Sequence, residues 1–286
     1  MDEQPTAPSE TSLVEFSLAW GDSHITATAE VPAGRTNLTQ LLPILQALDD
    51  SLIGAAASEA VAEGRSISCR AGCGACCRQL VPISVFEAEA LTTWVRSLSE
   101  DQQQELAQRF DQTLRTLAAS GILERLVATG NDFWDPENEK HKSLAIDYLY
   151  QRVACPFLVD EACSIHPIRP LICREYLVTS PPEHCVDPAT LQTEMVHLPI
   201  RVMPALNRIG AEVEHNTRGW IPLIFLFAWM KAKAHPGEKV SGTGPEVLHH
   251  FLSRIHTSDG DVESPEDSPT AEDGKLPAAN QEFSPG

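Results

Sequence analysis

Residues 69–78 read Cys69-Arg70-Ala71-Gly72-Cys73-Gly74-Ala75-Cys76-Cys77-Arg78, and our interpretation of the whole chain is built around them. Four of the eight cysteines fall in this run, separated mostly by glycine and alanine. Gly72 and Gly74 can adopt positive φ at no steric cost, so the loop can wrap tightly and aim several sulfurs at one point. A hydrophobic core does not need sulfur at fixed spacing, and the pattern therefore indicates a site built from thiols.

The remaining four cysteines form a second cluster much later in the chain, at Cys155, Cys163, Cys173 and Cys185. Thiolates favour zinc and iron–sulfur clusters over hard cations. Eight of them could complete two tetrahedral zinc sites, two cubane clusters or a mixed pair. Adjacent cysteines such as Cys76 and Cys77 seldom both point at one metal. We therefore expect one of this pair to join the distant cysteines and the two clusters to meet in space, because closing a long loop costs little more than closing a moderate one.

Several arginines lie beside or near the cysteines, although the chain as a whole is acidic. Guanidinium groups can offset the negative charge of metal-bound thiolates and donate hydrogen bonds to sulfur. The candidates for this role are Arg70, Arg78, Arg152, Arg169 and Arg174.

Composition narrows the class of protein. The 286 residues are 42% hydrophobic and carry a formal net charge of −19, which argues against nonspecific nucleic-acid binding and against docking on anionic lipid. The acidic N-terminus has no apolar signal segment, and the most apolar run, Ile221–Met230, is too short to span a membrane. We expect a cytoplasmic protein, in which clustered cysteines are metal ligands rather than disulfides. A protein partner is left open.

Hydrophobic periodicity predicts a mainly α (α+β) fold, an irregular helical domain with an N-terminal β-hairpin. The hairpin runs from Leu13 to Val31 around a turn at Gly21-Asp22. A helix follows from about Leu38 to Glu63 and ends at Gly64. Pro43 fits this helix only near its first turn. Capping boxes at Ser84/Glu87 and Ser99/Gln102 start two more helices. Further helices are expected at Ile122–Ala128, Trp220–Lys233 and Pro245–His256. Pro236-Gly237 would end the second of these helices.

The segment before the second cysteine cluster is less regular. Residues 131–143 have the composition of a loop, in which His141 would be solvated, and Leu144–Val153 could be helix or strand. Two short apolar runs around Asp160-Glu161 then predict a small hairpin that would place Cys155 and Cys163 at neighbouring strand positions.

These patterns suggest a division of the chain. We expect a disordered tail over residues 1–12, the hairpin and first helix over 13–65, a cysteine-cluster metal-binding domain over 66–186, a helical extension over 187–256 and a disordered acidic tail over 257–286.

The full cysteine pattern resembles the YkgJ family of cysteine-cluster proteins, described as zinc- or iron-chelating domains. The resemblance covers about residues 66–186 and implies that the eight cysteines chelate metal as an iron–sulfur cluster or zinc. It defines no activity. The chain departs from the family at His166, where an aromatic residue is frequent; we expect His166 to fill that packing position, with a ligand role as the alternative. The matching segments are Cys69-x3-Cys73-Gly74-Ala75-Cys76-Cys77, Cys155-Pro156-Phe157-Leu158, Cys163-Ser164-Ile165, Arg169-Pro170-x2-Cys173-Arg174 and Cys185.

The leading interpretation is a metal-binding protein, and the all-thiolate ligand set with nearby arginines favours an iron–sulfur cluster over zinc. A protein-modifying enzyme is the first alternative, because a flagellin lysine methylase carries a similar cysteine cluster. A radical S-adenosylmethionine enzyme would share the Cys69-x3-Cys73-x2-Cys76 spacing but needs repeated strand–helix units, which the sequence does not show. A thiol redox protein and a structural zinc module that supports an interaction platform are the remaining alternatives.

Overall fold

The computed structural model describes residues 10–20, 23–129, 138–188, 190–213, 219–232, 235–257 and 260–261. In these ranges the chain is mainly helical with small antiparallel strand pairs, which confirms the predicted α+β class. Each sheet in the described part has two strands. None of the helices there is long and apolar enough to cross a membrane. Most residues of the two predicted tails lie outside the described ranges.

The N-terminal hairpin is confirmed. Strand β1 (Thr11–Trp20) pairs antiparallel with β2 (Ser23–Pro32), with Phe16 opposite Ala27 and Leu18 opposite Ile25. The predicted turn at Gly21-Asp22 lies outside the described residues. One face of the hairpin packs on the first helix, because the alternating side chains of a strand point to opposite sides.

The first helix, α1 (Leu38–Ala62), agrees with its prediction at both ends. Asn37 and Gln40 form a reciprocal capping box at its start. At its end, Gly64 has a φ of 83° and Arg65 N donates to Ala60 O at 3.0 Å, which is a Schellman motif. Pro43 lies in the second turn rather than the first, where it removes one backbone hydrogen bond.

The next three helices are confirmed. Ser84 and Glu87 form the capping box of α2 (Val85–Ser97), and Ser99 and Gln102 form that of α3 (Glu100–Ala119). Gly121, with a φ of 74°, separates α3 from α4 (Ile122–Ala128).

The prediction of a loop over residues 131–143 is wrong at its C-terminal end. Residues 130–137 lie outside the described ranges, but Asn138 caps α5 (Glu139–Tyr150), which resolves the helix-or-strand ambiguity of that segment. His141 is only 4% exposed rather than solvated. The early start of α5 places His141 one turn before Leu144, on the buried side of the helix with Tyr148.

The C-terminal third differs from the predicted helix over Trp220–Lys233. Trp220–Pro222 is instead strand β7, which pairs with β4 (Pro82–Ser84), and only Leu226–Ala232 is α-helical, as α8. Gly219 precedes β7 with a φ of 69°, and a Cβ there would collide with Asn207 O, so this position requires glycine. Pro236-Gly237 opens a further short helix, α9 (Pro236–Lys239), instead of ending one.

The remaining elements complete the frame. Strand β3 (Arg35–Asn37) pairs with β8 (Ser241–Thr243), a contact the sequence analysis did not predict. The last helix, α10 (Gly244–Leu252), ends four residues earlier than expected, and His256–Thr257 (β9) pairs with Gly260–Asp261 (β10). The other elements are β5 (Leu158–Val159), β6 (Ala162–Cys163), α6 (Leu171–Glu175) and α7 (Met203–Val213).

The core is divided into clusters, and the cysteine segments lie between them. The largest cluster joins the N-terminal hairpin to α1, α7 and α10. A second surrounds Phe157 and has Cys155 and Cys163 at its border, while a smaller one around Leu177 and Val196 has Cys69 at its border. Cys69, Cys155 and Cys163 therefore lie along a boundary between apolar clusters, which we call the seam.

Candidate metal centre

Thiols from both sequence clusters face one cavity of about 300 Å³. This confirms that the two clusters meet in space. The apolar part of the wall comes from Val81, Phe157, Ile165 and Leu223. The cysteines that line the cavity are Cys69, Cys73, Cys76, Cys77, Cys155, Cys163 and Cys173.

The first cysteine loop is a series of tight turns. Cys73 N donates to Arg70 O at 3.1 Å, and Cys77 N donates to Gly74 O at 3.0 Å. Gly72 has a φ of 83°, as its predicted role requires. Gly74 is needed for a different reason, since a Cβ there would lie 2.6 Å from Glu161 O. The loop can dock on the hairpin of the second cluster only because Gly74 has no side chain.

Two further contacts hold the loop to that hairpin. Arg78 forms a two-pronged ion pair with Glu161, at 2.6 and 3.0 Å. Cys155 N donates to Cys77 O at 2.7 Å, which places the two cysteine backbones side by side. Cys77 thus lies next to the second cluster, as the sequence predicts for one member of the adjacent pair.

The small hairpin is confirmed, with one correction. Asp160 and Glu161 form its turn with φ values of 50° and 58°, and Cys163 in β6 lies opposite Leu158 in β5. Cys155 is not at a neighbouring strand position, because it precedes β5 in a turn closed by Leu158 N donating to Cys155 O at 2.8 Å.

Cys173 lies on α6, and buried carboxylates fix this short helix in place. Glu87 accepts a hydrogen bond from Leu171 N at 2.7 Å, and Glu175 accepts from Val202 N and Met203 N at 2.8 and 2.9 Å. The guanidinium of Arg174 donates to both carboxylate oxygens of Asp50 on α1 at 2.8 Å. A five-residue helix is not stable alone, so these contacts set the position of Cys173.

Asp50, Glu87 and Glu175 have a positioning role that was not predicted from the sequence. Glu87 was recognised as part of a capping box, but its second oxygen reaches across to α6. For Glu87 and Glu175 the available signal was an acidic side chain on the apolar face of α2 or α6, where burial of a charge requires partners. Asp50 is exposed on α1 and offered no such signal.

Cys69, Cys73 and Cys185 occupy the opposite side of the seam. Val178 N donates to Cys69 Sγ at 3.4 Å. Cys185 is buried in the 3₁₀ helix Pro182–Val186, and its carbonyl accepts a hydrogen bond from Gln79 Nε2 at 3.3 Å. Cys73 lines a shallow surface pocket with residues of the same 3₁₀ helix, which brings it towards Cys185.

The thiol pKa values reflect burial and one close pair. A hydrogen bond with Cys77 lowers the pKa of Cys76 to about 7, and the same bond raises the pKa of Cys77. Burial raises the pKa of Cys155 to about 12 and that of Cys185 to about 11. Burial also raises the pKa of Cys173 well above its ordinary value. Metal binding would displace the protons that these buried thiols retain.

The donor set fits a soft metal. All eight cysteines are free, none of them in a disulfide. Thiolates in an apolar seam are the ligands that zinc and iron–sulfur clusters take. Within the described residues, no three Cys, His, Asp or Glu side chains are grouped as a ready-made metal site, so the thiols surround a space rather than converge on a point.

The site defines a cysteine-based metal-chelating domain. Residues 68–194, which contain all eight cysteines, match the CxxCxxCC family, whose description is "Putative zinc- or iron-chelating domain". This match agrees with the resemblance to a zinc- or iron-chelating cysteine-cluster family that the sequence pattern predicts. No curated protein and no solved structure matches the chain.

Proposed function

We propose that the eight cysteines bind metal as two sets of four. The observation that carries this proposal is the single cavity faced by thiols of both clusters. Four thiolates complete either a tetrahedral zinc site or a cubane cluster, so eight suffice for two centres. The first set is Cys69, Cys73, Cys76 and Cys185. The second set is Cys77, Cys155, Cys163 and Cys173.

Contacts of the backbone support the second set. Cys77 and Cys155 are joined by a 2.7 Å hydrogen bond, and Cys155 and Cys163 border the same apolar cluster around Phe157. Cys173 interacts electrostatically with Cys155, Cys76 and Cys163, which indicates that its sulfur is near two other members of this set and also near Cys76.

The first set is supported in the same way. Cys185 interacts electrostatically with Cys69 and Cys73. Cys76 is adjacent in sequence to Cys77 and interacts with thiols of both clusters. We assign Cys76 to the first set because Cys77 is bound by its backbone to the second. The adjacent pair would then divide between the two centres.

We favour iron–sulfur centres over zinc. Zinc holds its thiolates at about 2.3 Å, which requires four sulfurs to converge tightly. The thiols here surround a cavity of about 300 Å³, and in the part of the chain that the structure describes no three of them are grouped as such a site, an arrangement better suited to a polynuclear centre. When bound, an iron–sulfur cluster would supply a one-electron redox group. The protein's own contribution would be the thiolate ligands and the apolar walls at Phe157 and Leu223, which limit access of water.

Anaerobic purification followed by iron, zinc and acid-labile sulfide analysis tests the identity of the metal. We expect iron and sulfide in equal amounts and visible absorption that bleaches with dithionite. Stoichiometric zinc without sulfide would overturn the iron–sulfur assignment and retain the two ligand sets.

The division into sets is tested with Cys73→Ser and Cys163→Ser. Each variant should lose about half of the metal, and the double variant should lose all of it. Far-UV circular dichroism would verify that each variant remains folded. Complete loss of metal from a folded single variant would show that the eight cysteines form one indivisible centre.

A further inference from the structure

Arg169 differs from the other arginines near the cysteines. Arg78 and Arg174 are engaged with Glu161 and Asp50, and both Arg152 and the cavity-lining Arg70 are exposed. Arg169 is half-buried in the wall of the cysteine cavity. Its Nε is fully buried and has no hydrogen-bond partner within the described residues. A buried guanidinium donor without a partner is costly, so an acceptor is expected at this position when the site is complete.

The backbone at Arg169 is held from several directions. Ile168 N donates to Ile165 O at 2.9 Å, and Arg174 Nε donates to Arg169 O at 3.1 Å. Pro170 follows and restricts the conformation of Arg169 further. These contacts fix the backbone of Arg169, whose side chain lines the cavity.

His166 fixes the far end of the Arg169 side chain. Nη1 of Arg169 lies 2.5 Å from Nε2 of His166. Arginine has donors only, so the imidazole nitrogen accepts this hydrogen bond. An imidazole engaged in this way is an anchor for Arg169 and is not directed at a metal through the same nitrogen. The other donors of the guanidinium remain for the cavity.

Arg169 lines the same cavity as thiols of both proposed sets. It shares the cavity wall with Cys69 and Cys76 of the first set and with Cys163 of the second set. One guanidinium thus lies near both halves of the site, where the negative charge of metal-bound thiolates would accumulate.

We propose that Arg169 is the charge-balancing residue of the metal site, donating its Nε–H to a metal-bound sulfur while His166 holds the guanidinium in position. This role rests on the proposed function, since it requires metal on the cysteines. Arg169 is a positioning residue and not a ligand. Residues that hydrogen-bond to ligands from outside the coordination sphere set metal affinity and reduction potential.

The test compares the wild type with Arg169→Gln, Arg169→Lys and, as a matched control, Arg152→Gln. The control removes the same charge from an exposed residue three positions before Cys155 in the sequence. Each protein is purified anaerobically, its metal content per chain is measured, and retention of the metal against a competing chelator is determined. For iron-loaded protein the midpoint potential is also measured.

We expect Arg169→Gln to bind metal about 10- to 100-fold more weakly than Arg152→Gln, with a midpoint potential shifted to more negative values. Arg169→Lys keeps the charge but loses the planar donor group, and should fall between them. His166→Gln should weaken binding in the same direction, because the anchor is altered.

Three results would overturn this role. The first result is that Arg169→Gln carries metal and resists the chelator as well as Arg152→Gln does. The second applies if Arg169→Gln does not fold: both Arg169→Lys and His166→Gln then retain metal as well as the wild type does. The third is a folded wild type that takes up no metal, which would overturn the proposed function itself and is distinguished by the metal analysis alone.

Discussion

Replacing Asp49 by asparagine should stabilise the protein at neutral pH. Asp49 lies on the inner face of α1, is 1% exposed, and neither carboxylate oxygen has a hydrogen-bond partner within the described residues. Burial raises its pKa to about 9, and the charges of Glu175 and Asp50 act in the same direction. The folded protein therefore holds Asp49 protonated at neutral pH, where the unfolded chain would ionise it.

The size of the effect follows from the two pKa values. A raised pKa contributes stability that is complete below the ordinary value of 3.8 and is lost as the pH rises through about 9. At pH 7 the protein is 7 − 3.8, or about 3 pH units, above the ordinary pKa of the aspartate. Each unit lowers the free energy of unfolding by about 1.4 kcal/mol, so the total loss at pH 7 is roughly 4 kcal/mol. Asparagine stays neutral at every pH. Asp49→Asn should therefore be more stable by about 2–4 kcal/mol at pH 7, with the difference shrinking towards pH 4.

Asp50 provides a control with the opposite sign. It accepts two hydrogen bonds from the buried Arg174, so Asp50→Asn should destabilise the protein by about 1.5–3 kcal/mol. Urea unfolding of both variants and the wild type at pH 5 and pH 8, with equal metal content, measures the difference. If Asp49→Asn is less stable than the wild type at pH 8, or if its advantage is the same at both pH values, Asp49 is not held protonated in the folded protein.

Three further predictions concern the site and its frame. Gly74→Ala should lower the free energy of unfolding by about 1–3 kcal/mol, because the new methyl group collides with Glu161 O. As a control, Gly54→Ala on the exposed face of α1 should raise the free energy of unfolding by up to about 1 kcal/mol, and equal effects of the two substitutions in denaturant unfolding would contradict this. A chain shortened to residues 10–261 should bind as much metal as the full chain, because it keeps all eight cysteines, and a lower metal content would count against that view. In metal-free protein near pH 7, Cys76 should react with iodoacetamide before Cys155 or Cys185, because of these three thiols it alone has a pKa near 7. Peptide mass spectrometry measures the order of labelling, and any other order would contradict the prediction.

Much of the helical frame could be predicted because its signals are local. The reciprocal caps at Ser84/Glu87 and Ser99/Gln102, and the left-handed Gly64, each depend on residues within one turn of the helix end. The meeting of the two cysteine clusters was predictable from thiol chemistry, although the cavity between them was not.

The errors arise where a distant segment decides the local structure. Trp220–Pro222 has an apolar pattern compatible with a helix, but its pairing with Pro82–Ser84 makes it a strand. The buried carboxylates around α6 were missed for the same reason, since Glu175 finds its partners at Val202 and Met203. Such pairings join residues more than 25 positions apart, and periodicity within a single window does not contain them.

The dependence of α6 on Val202 and Met203 has a consequence for biosynthesis. Cys69 precedes Cys185 by 116 residues (185 − 69), and Glu175 cannot anchor its helix until Met203 has been made. At about 5–20 residues per second, the ribosome needs roughly 6 to 23 s for the interval between the two cysteines. During that time the first loop emerges with only its own four thiols. Loading of the complete set therefore follows synthesis, and a cell that makes this protein must keep these thiols reduced until it occurs.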